Sequence, residues 1–127
     1  MKVIFVGIHN KPGKNPLDSG TKSGKIIDKI IRGLSPIECL KTNLYDVDYL
    51  PDRTDKFNLI EKWNKRHRPC APDIVVLLGL EVIHNMHINS SPMPYIITLS
   101  HPASNFGTEK TNKYIKDAIS KIKCYAK

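Results

Sequence analysis

Two rhythms of apolar residues run along this chain. Short continuous apolar runs, Val3-Ile4-Phe5-Val6 and Asp73-Ile74-Val75-Val76-Leu77-Leu78-Gly79, read as buried parallel strands, which lack the alternation of a half-solvated sheet. Pro94-Tyr95-Ile96-Ile97-Thr98-Leu99 predicts a third strand, and Pro36 opens a fourth, shorter one over Ile37–Leu40. Between them the apolar spacing lengthens to that of helices. Ile26, Ile27, Ile30, Ile31 and Leu34 share one face, with Ser23 as the predicted cap and Gly33 near the stop. Thr54 is the predicted cap of a second helix over Asp55–Arg66, with Phe57, Ile60 and Trp63 inward and Pro69 and Pro72 beyond its end. Leu80–Met86 predicts a short helix. Thr108 caps a last one through about Ile122, whose inward residues are Tyr114, Ile115, Ala118, Ile119 and Ile122.

Strands alternating with helices imply right-handed crossovers and a parallel sheet covered on both faces. The predicted fold is α/β, a three-layer αβα sandwich around a four-stranded, mainly parallel sheet with the first strand central. At 127 residues the chain is expected to form a single domain, 1–127.

Composition adds one strong constraint. Forty per cent hydrophobic and 25% charged is ordinary, but a formal net charge of +8 with a pI near 9.5 points to a polyanionic partner. Nucleic acid precedes membrane, because no basic amphipathic helix with a bulky apolar face is present and no segment has transmembrane length. Three scattered cysteines, Cys39, Cys70 and Cys124, without a C-x-x-C pair, fit a reducing, cytoplasmic setting and offer no metal ligand set. The apolar run at Met1–Ile8 is too short for a secretion signal.

Ligands of open α/β sheets bind beyond the carboxyl ends of the strands, where the strand order reverses. Two loops qualify, Gly7-Ile8-His9-Asn10-Lys11-Pro12-Gly13 and Ser100-His101-Pro102-Ala103-Ser104. The first does not have the G-x-x-x-x-G-K-[ST] spacing of a P-loop, since Lys14 is followed by Asn15, nor the G-x-G-x-x-G of a dinucleotide fold. His84 and His87 have no carboxylate or cysteine beside them, and no cysteine ends a strand, so metal and thiol chemistry are not expected. His101 stands out, because Pro102 holds the backbone before it extended at the end of a buried strand. A histidine held there is placed to donate to an anionic oxygen forming on a substrate.

In order, these segments resemble the uracil-DNA glycosylase superfamily. Gly7 to Pro12-Gly13 is similar to its first motif, and His101-Pro102-Ala103-Ser104 to its His-Pro-Ser or His-Pro-Ala motif. Between them, Gly20-Thr21-Lys22-Ser23-Gly24 resembles the family's helix start, Thr42-Asn43-Leu44 with Pro51 its asparagine segment, and Leu77-Leu78-Gly79 its leucine-glycine. The resemblance implies a monofunctional DNA glycosylase that flips uracil or a related pyrimidine out of DNA and hydrolyses its N-glycosidic bond with water, without a cofactor or metal. It implies Asn10 as the residue that positions water, with His9 close enough to compete. His101 would stabilise the departing base, and Asn43 would read its edge. Phe106 would act as the wedge in the base stack. No aromatic lies between His9 and Gly24, where the family supplies a stacking ring, so Tyr45 is expected to stand in from the neighbouring loop. Lys11, Pro12, Gly13, Lys14, Lys22, Ser23 and Ser104 fall where DNA phosphates would lie, the lysines around a helix N-terminus. The second expectation is a non-catalytic module of the same fold that binds nucleic acid or a nucleotide. A structural or protein-binding role has only the lysine-rich surface behind it.

Overall fold

The structure, a computed structural model, describes residues 1–9, 17, 19–45, 52–67, 72–85, 94–104 and 107–125, and for 8, 9, 53–57, 66, 67 and 104 the backbone alone. The strands are β1 (Lys2–His9), β2 (Glu38–Tyr45), β3 (Ile74–Leu78) and β4 (Tyr95–Leu99). The helices are α1 (Lys22–Leu34), α2 (Arg53–His67), α3 (Leu80–Asn85) and α4 (Thr108–Tyr125). All strand pairs are parallel, in the order β2-β1-β3-β4. The αβα sandwich expected from the alternating rhythms is therefore present, and its sheet is wholly parallel. β1 is interior because the chain leaves it toward β2 on one side and later returns to β3 on the other. That reversal opens a crevice between the carboxyl ends of β1 and β3.

Two cores flank the sheet, separated by the period-2 alternation of strand side chains. On one face Val3, Phe5, Ile74, Val76, Leu78 and Ile97 pack with Ile26, Ile27, Ile30 and Leu34 of α1 and Ala118 and Ile122 of α4. On the other, Ile4, Val6, Leu44, Val75 and Leu77 pack with Ile60 and Trp63 of α2 and Val82 of α3. Both faces of β1 and β3 are covered, so these strands carry unbroken apolar runs. Truncating one of their larger side chains, Phe5 for example, removes buried contacts on the scale of about 3–5 kcal/mol.

Several boundaries differ from those the sequence predicts, each for a local reason. Helix α1 is capped by Thr21, whose Oγ1 accepts from the Gly24 amide at 3.0 Å, so Ser23 lies inside the first turn. Helix α2 begins at Arg53, so Thr54 is helical and not its cap. Strand β2 does not stop at Leu40. It pairs with β1 from Lys2↔Glu38 to His9↔Tyr45, which makes Asn43 and Tyr45 strand residues, not loop residues. Helix α4 runs to Tyr125, past Ile122.

On the α1 side of β2, Lys41 is ion-paired with Asp28 and its Nζ also donates to the Leu17 carbonyl at 3.1 Å. Burial by itself would raise the Asp28 carboxyl. Hydrogen bonds from Lys41 and Ser19, with the charges of Lys41 and Arg32, hold it below the ordinary carboxylate value. A carboxyl with a depressed folded value stabilises the fold above its unfolded pKa, and that contribution disappears as pH falls through the folded value. Asp28→Asn is therefore expected to cost about 1 kcal/mol at neutral pH, and the gap to the parent should close below about pH 4. Urea melts across that range measure it, and a gap that persists at low pH would assign the loss to packing.

Candidate functional site

The carboxyl ends of β3 and β4 meet around His101. Gly79 ends β3 with φ +94°, a left-handed backbone that side chains other than glycine's rarely adopt. Its amide donates to the Leu99 carbonyl at 2.9 Å, and its carbonyl accepts from the Ile83 amide at the start of α3. A Cβ on Gly79 would lie 3.4 Å from the Cβ of His101 and 3.6 Å from its ring. The strand end, the helix start and the histidine are thus packed into one turn through a residue without a side chain.

The turn after β4 is a 3₁₀ helix, Pro102–Ser104, with Pro102 buried. Within it the Ala103 amide donates to Nδ1 of His101 at 3.1 Å. An accepting Nδ1 carries no hydrogen, so the hydrogen-bond geometry assigns the neutral ring with its proton on Nε2. Two more contacts hold the turn from outside. Nζ of Lys22, in the first turn of α1, donates to the Ala103 carbonyl at 3.4 Å. The Tyr114 hydroxyl of α4 donates to the Ser100 carbonyl at 2.6 Å, and burial pushes this phenol well above its ordinary pKa. By its spacing in the sequence Tyr114 is legible only as a core residue of α4. Its spacing carries no sign that the hydroxyl reaches back to the residue before His101.

Beside His101 lies a cavity of about 520 Å³, within the range of small-molecule sites. Among the described residues its walls are Gly79, Leu80 and Ile83 on one side and Thr98, Leu99, Ser100 and His101 on the other. Two apolar side chains, Leu80 and Ile83, face a wall of two hydroxyls, an imidazole and Leu99. Such a lining suits a flat ring with one polar edge.

Asn43 and Tyr45 lie elsewhere. β2 and β4 are the two edges of the sheet, three strand spacings or about 14 Å apart, and neither residue is among the described walls of the cavity. Asn43 is 3% exposed and lies over Gly7, where a Cβ would come within 2.6 Å of its Oδ1. Tyr45 is fully buried in the α2-side core with Leu44 and Trp63, so its ring is not on a surface where a base could stack. Lys22 is exposed and Ser23 partly so, both in the α1 turn that touches the His101 segment. The backbone of His9 pairs opposite Tyr45, and Ser104 closes the 3₁₀ turn. Asn10, Lys11, Pro12, Gly13, Lys14 and Phe106 lie outside the described residues.

Among the described residues no group of three or more histidine, cysteine or acidic side chains is placed to hold a metal. Nor is any described helix long and apolar enough to cross a membrane. Of the cysteines, Cys124 is exposed, while burial raises the Cys39 thiol, the opposite of an activated nucleophile. Compared with known proteins, the chain matches no protein-family model, and no curated protein matches it significantly.

Proposed function

We propose that this protein is a monofunctional DNA glycosylase acting on uracil or a related modified or mismatched pyrimidine. The observation that carries this reading is His101, held as the Nε2–H tautomer at a strand's carboxyl end, beside a cavity with apolar walls and one polar edge. Breaking an N-glycosidic bond leaves negative charge on the base oxygen and positive charge on the sugar. A donor fixed in advance near that oxygen stabilises the departing base without reorganising during the reaction. Water then adds to the sugar carbon, and the proton it loses neutralises the departed base anion, leaving an abasic site and the free base. In this reading Asn10 orients the water, and Asn43, buried on the opposite edge strand of the sheet, takes no part in reading the base. Lys11, Lys14 and Lys22 meet the phosphates of DNA, and Phe106 fills the space that the flipped base vacates.

The test is incubation with oligonucleotides carrying a single uracil, hydroxymethyluracil or mispaired thymine, followed by alkali. Strand scission at one of these bases supports the enzyme and identifies its substrate. No scission on any of them, with binding retained, rejects it. The burial of Tyr45 and Asn43 favours a second reading, a glycosylase-like module that binds nucleic acid or a nucleotide without excision. Under that reading the proteins with and without His101 would be equally inert.

A further inference from the structure

The positive charge of this protein is concentrated in one layer. Helices α1 and α4 make up 31 of its 127 residues yet carry nine basic and three acidic side chains, a net +6 of the chain's +8. The two helices pack side by side on the same face of the sheet, with Gly33 against Ile119. Both follow a parallel strand and run back along the sheet, so they are parallel to each other, and Lys29 and Arg32 lie level with the middle of α4.

At 100° per residue, the inward faces centred on Ile30 and on Ala118 to Ile122 leave the outer shoulders of the two helices facing a shared groove. Lys25 and Lys29 stand on the α1 shoulder with Arg32 at its outer rim, and Lys116 and Lys123 on that of α4. All five are exposed. Two of the three acids are turned elsewhere. Asp28 faces β2, where Lys41 holds it and Arg32 adds its charge, and Asp117 points a further 100° round α4 from Lys116, on the side of Lys113 and away from α1. Glu109 heads the α4 row in the first turn, at the carboxyl edge of the sheet. None of the four lysines is ion-paired with a described residue.

We infer that the α1–α4 groove is a second nucleic-acid surface, gripping the phosphate backbone of a duplex along the flank of the domain, apart from the cavity at the sheet's carboxyl edge. Two rows of flexible cations on neighbouring helices, whose axes pack about 8–10 Å apart, with no acid between the rows and no apolar anchor, are complementary to a line of phosphates. They are not built to read bases, so binding here is expected to be independent of sequence. An acidic protein would also be attracted, but an apolar contact to fix its register is missing from the groove. The inference does not rest on base excision.

An unmodified 20-base-pair duplex is therefore the probe, followed by fluorescence anisotropy at several salt concentrations. Two double variants, Lys29→Glu with Lys116→Glu and Arg32→Glu with Lys123→Glu, change exposed positions only. A control, Lys62→Glu with Lys65→Glu, makes the same charge change on exposed residues of α2, across the sheet. Each groove variant is expected to lose at least about tenfold in affinity near 0.1 M salt, and its log–log salt slope should fall by about 2, close to 0.9 per lost contact. The control should stay within about twofold, on the scale of a diffuse charge effect. Thermal melts like the parent's make a loss of binding a surface effect. Equal losses in groove and control variants, or none in the groove variants, would overturn the inference. So would retained duplex binding together with lost binding of a poly-glutamate peptide, which would assign the groove to an acidic protein.

Discussion

His101→Ala is expected to lower base excision by about 10²–10³-fold, the scale on which one preorganised donor to a developing anion acts, while duplex affinity stays near that of the parent. The expectation follows from how the ring is held. Nδ1 is occupied by the Ala103 amide, so the proton is on Nε2 before substrate arrives. Backbone and side chains from three other elements brace the turn: Gly79 after β3, Lys22 of α1 and Tyr114 of α4. Removing the imidazole deletes the donor and the acceptor of the Ala103 amide, and leaves the other three braces in place. Single-turnover cleavage at saturating enzyme, with binding measured separately, distinguishes lost chemistry from lost affinity. An equal fall in affinity and rate would make His101 a binding residue, and an unchanged rate would remove it from the mechanism.

Gly7→Ala is expected to destabilise the fold by about 1–3 kcal/mol, the usual cost of forcing an atom into a packed site. The new methyl would meet Oδ1 of Asn43 at 2.6 Å and Cδ2 of Leu17 at 3.2 Å. Asn43 is 3% exposed on an interior-facing strand position, so its short side chain has little room to swing away. Gly7 is the place on β1 that lets Asn43 lie flat across the sheet. A double-mutant cycle separates the two residues. Asn43→Ala in the Gly7→Ala background should recover part of the stability, because the clash disappears with the amide. Additive losses in urea melts would show that the two side chains do not compete for the same space.

Much of the architecture is legible in the order of residues. Ile74 to Leu78 and Val3 to Val6 are apolar without a break because helices cover both faces of their strands. Ile26, Ile27, Ile30 and Leu34 declare α1 by their spacing, and Pro102 after His101 marks the end of β4. These are local signals, written within a turn or two of the residues they organise. The reach of β2 was not legible, because Thr42 and Asn43 are poor advertisements for a buried strand. Hydrogen bonds to β1, whose sequence lies more than thirty residues earlier, carry the strand on to Tyr45. The same extension takes the Tyr45 ring into the α2-side core, where it cannot serve as the stacking platform expected of it.

The sequence by itself thus determined the αβα class, the parallel strands, the inward faces of α1 and α4 and the strand-end position of His101. Hydrophobic period and punctuation are set by neighbours along the chain, and element type depends on little else. Only the tertiary structure decided the order β2-β1-β3-β4, the tautomer of His101, the reach of the Tyr114 hydroxyl to Ser100 and the packing of α1 beside α4. Each of those depends on residues brought together from distant parts of the chain, and nothing in the local pattern encodes the distance between them.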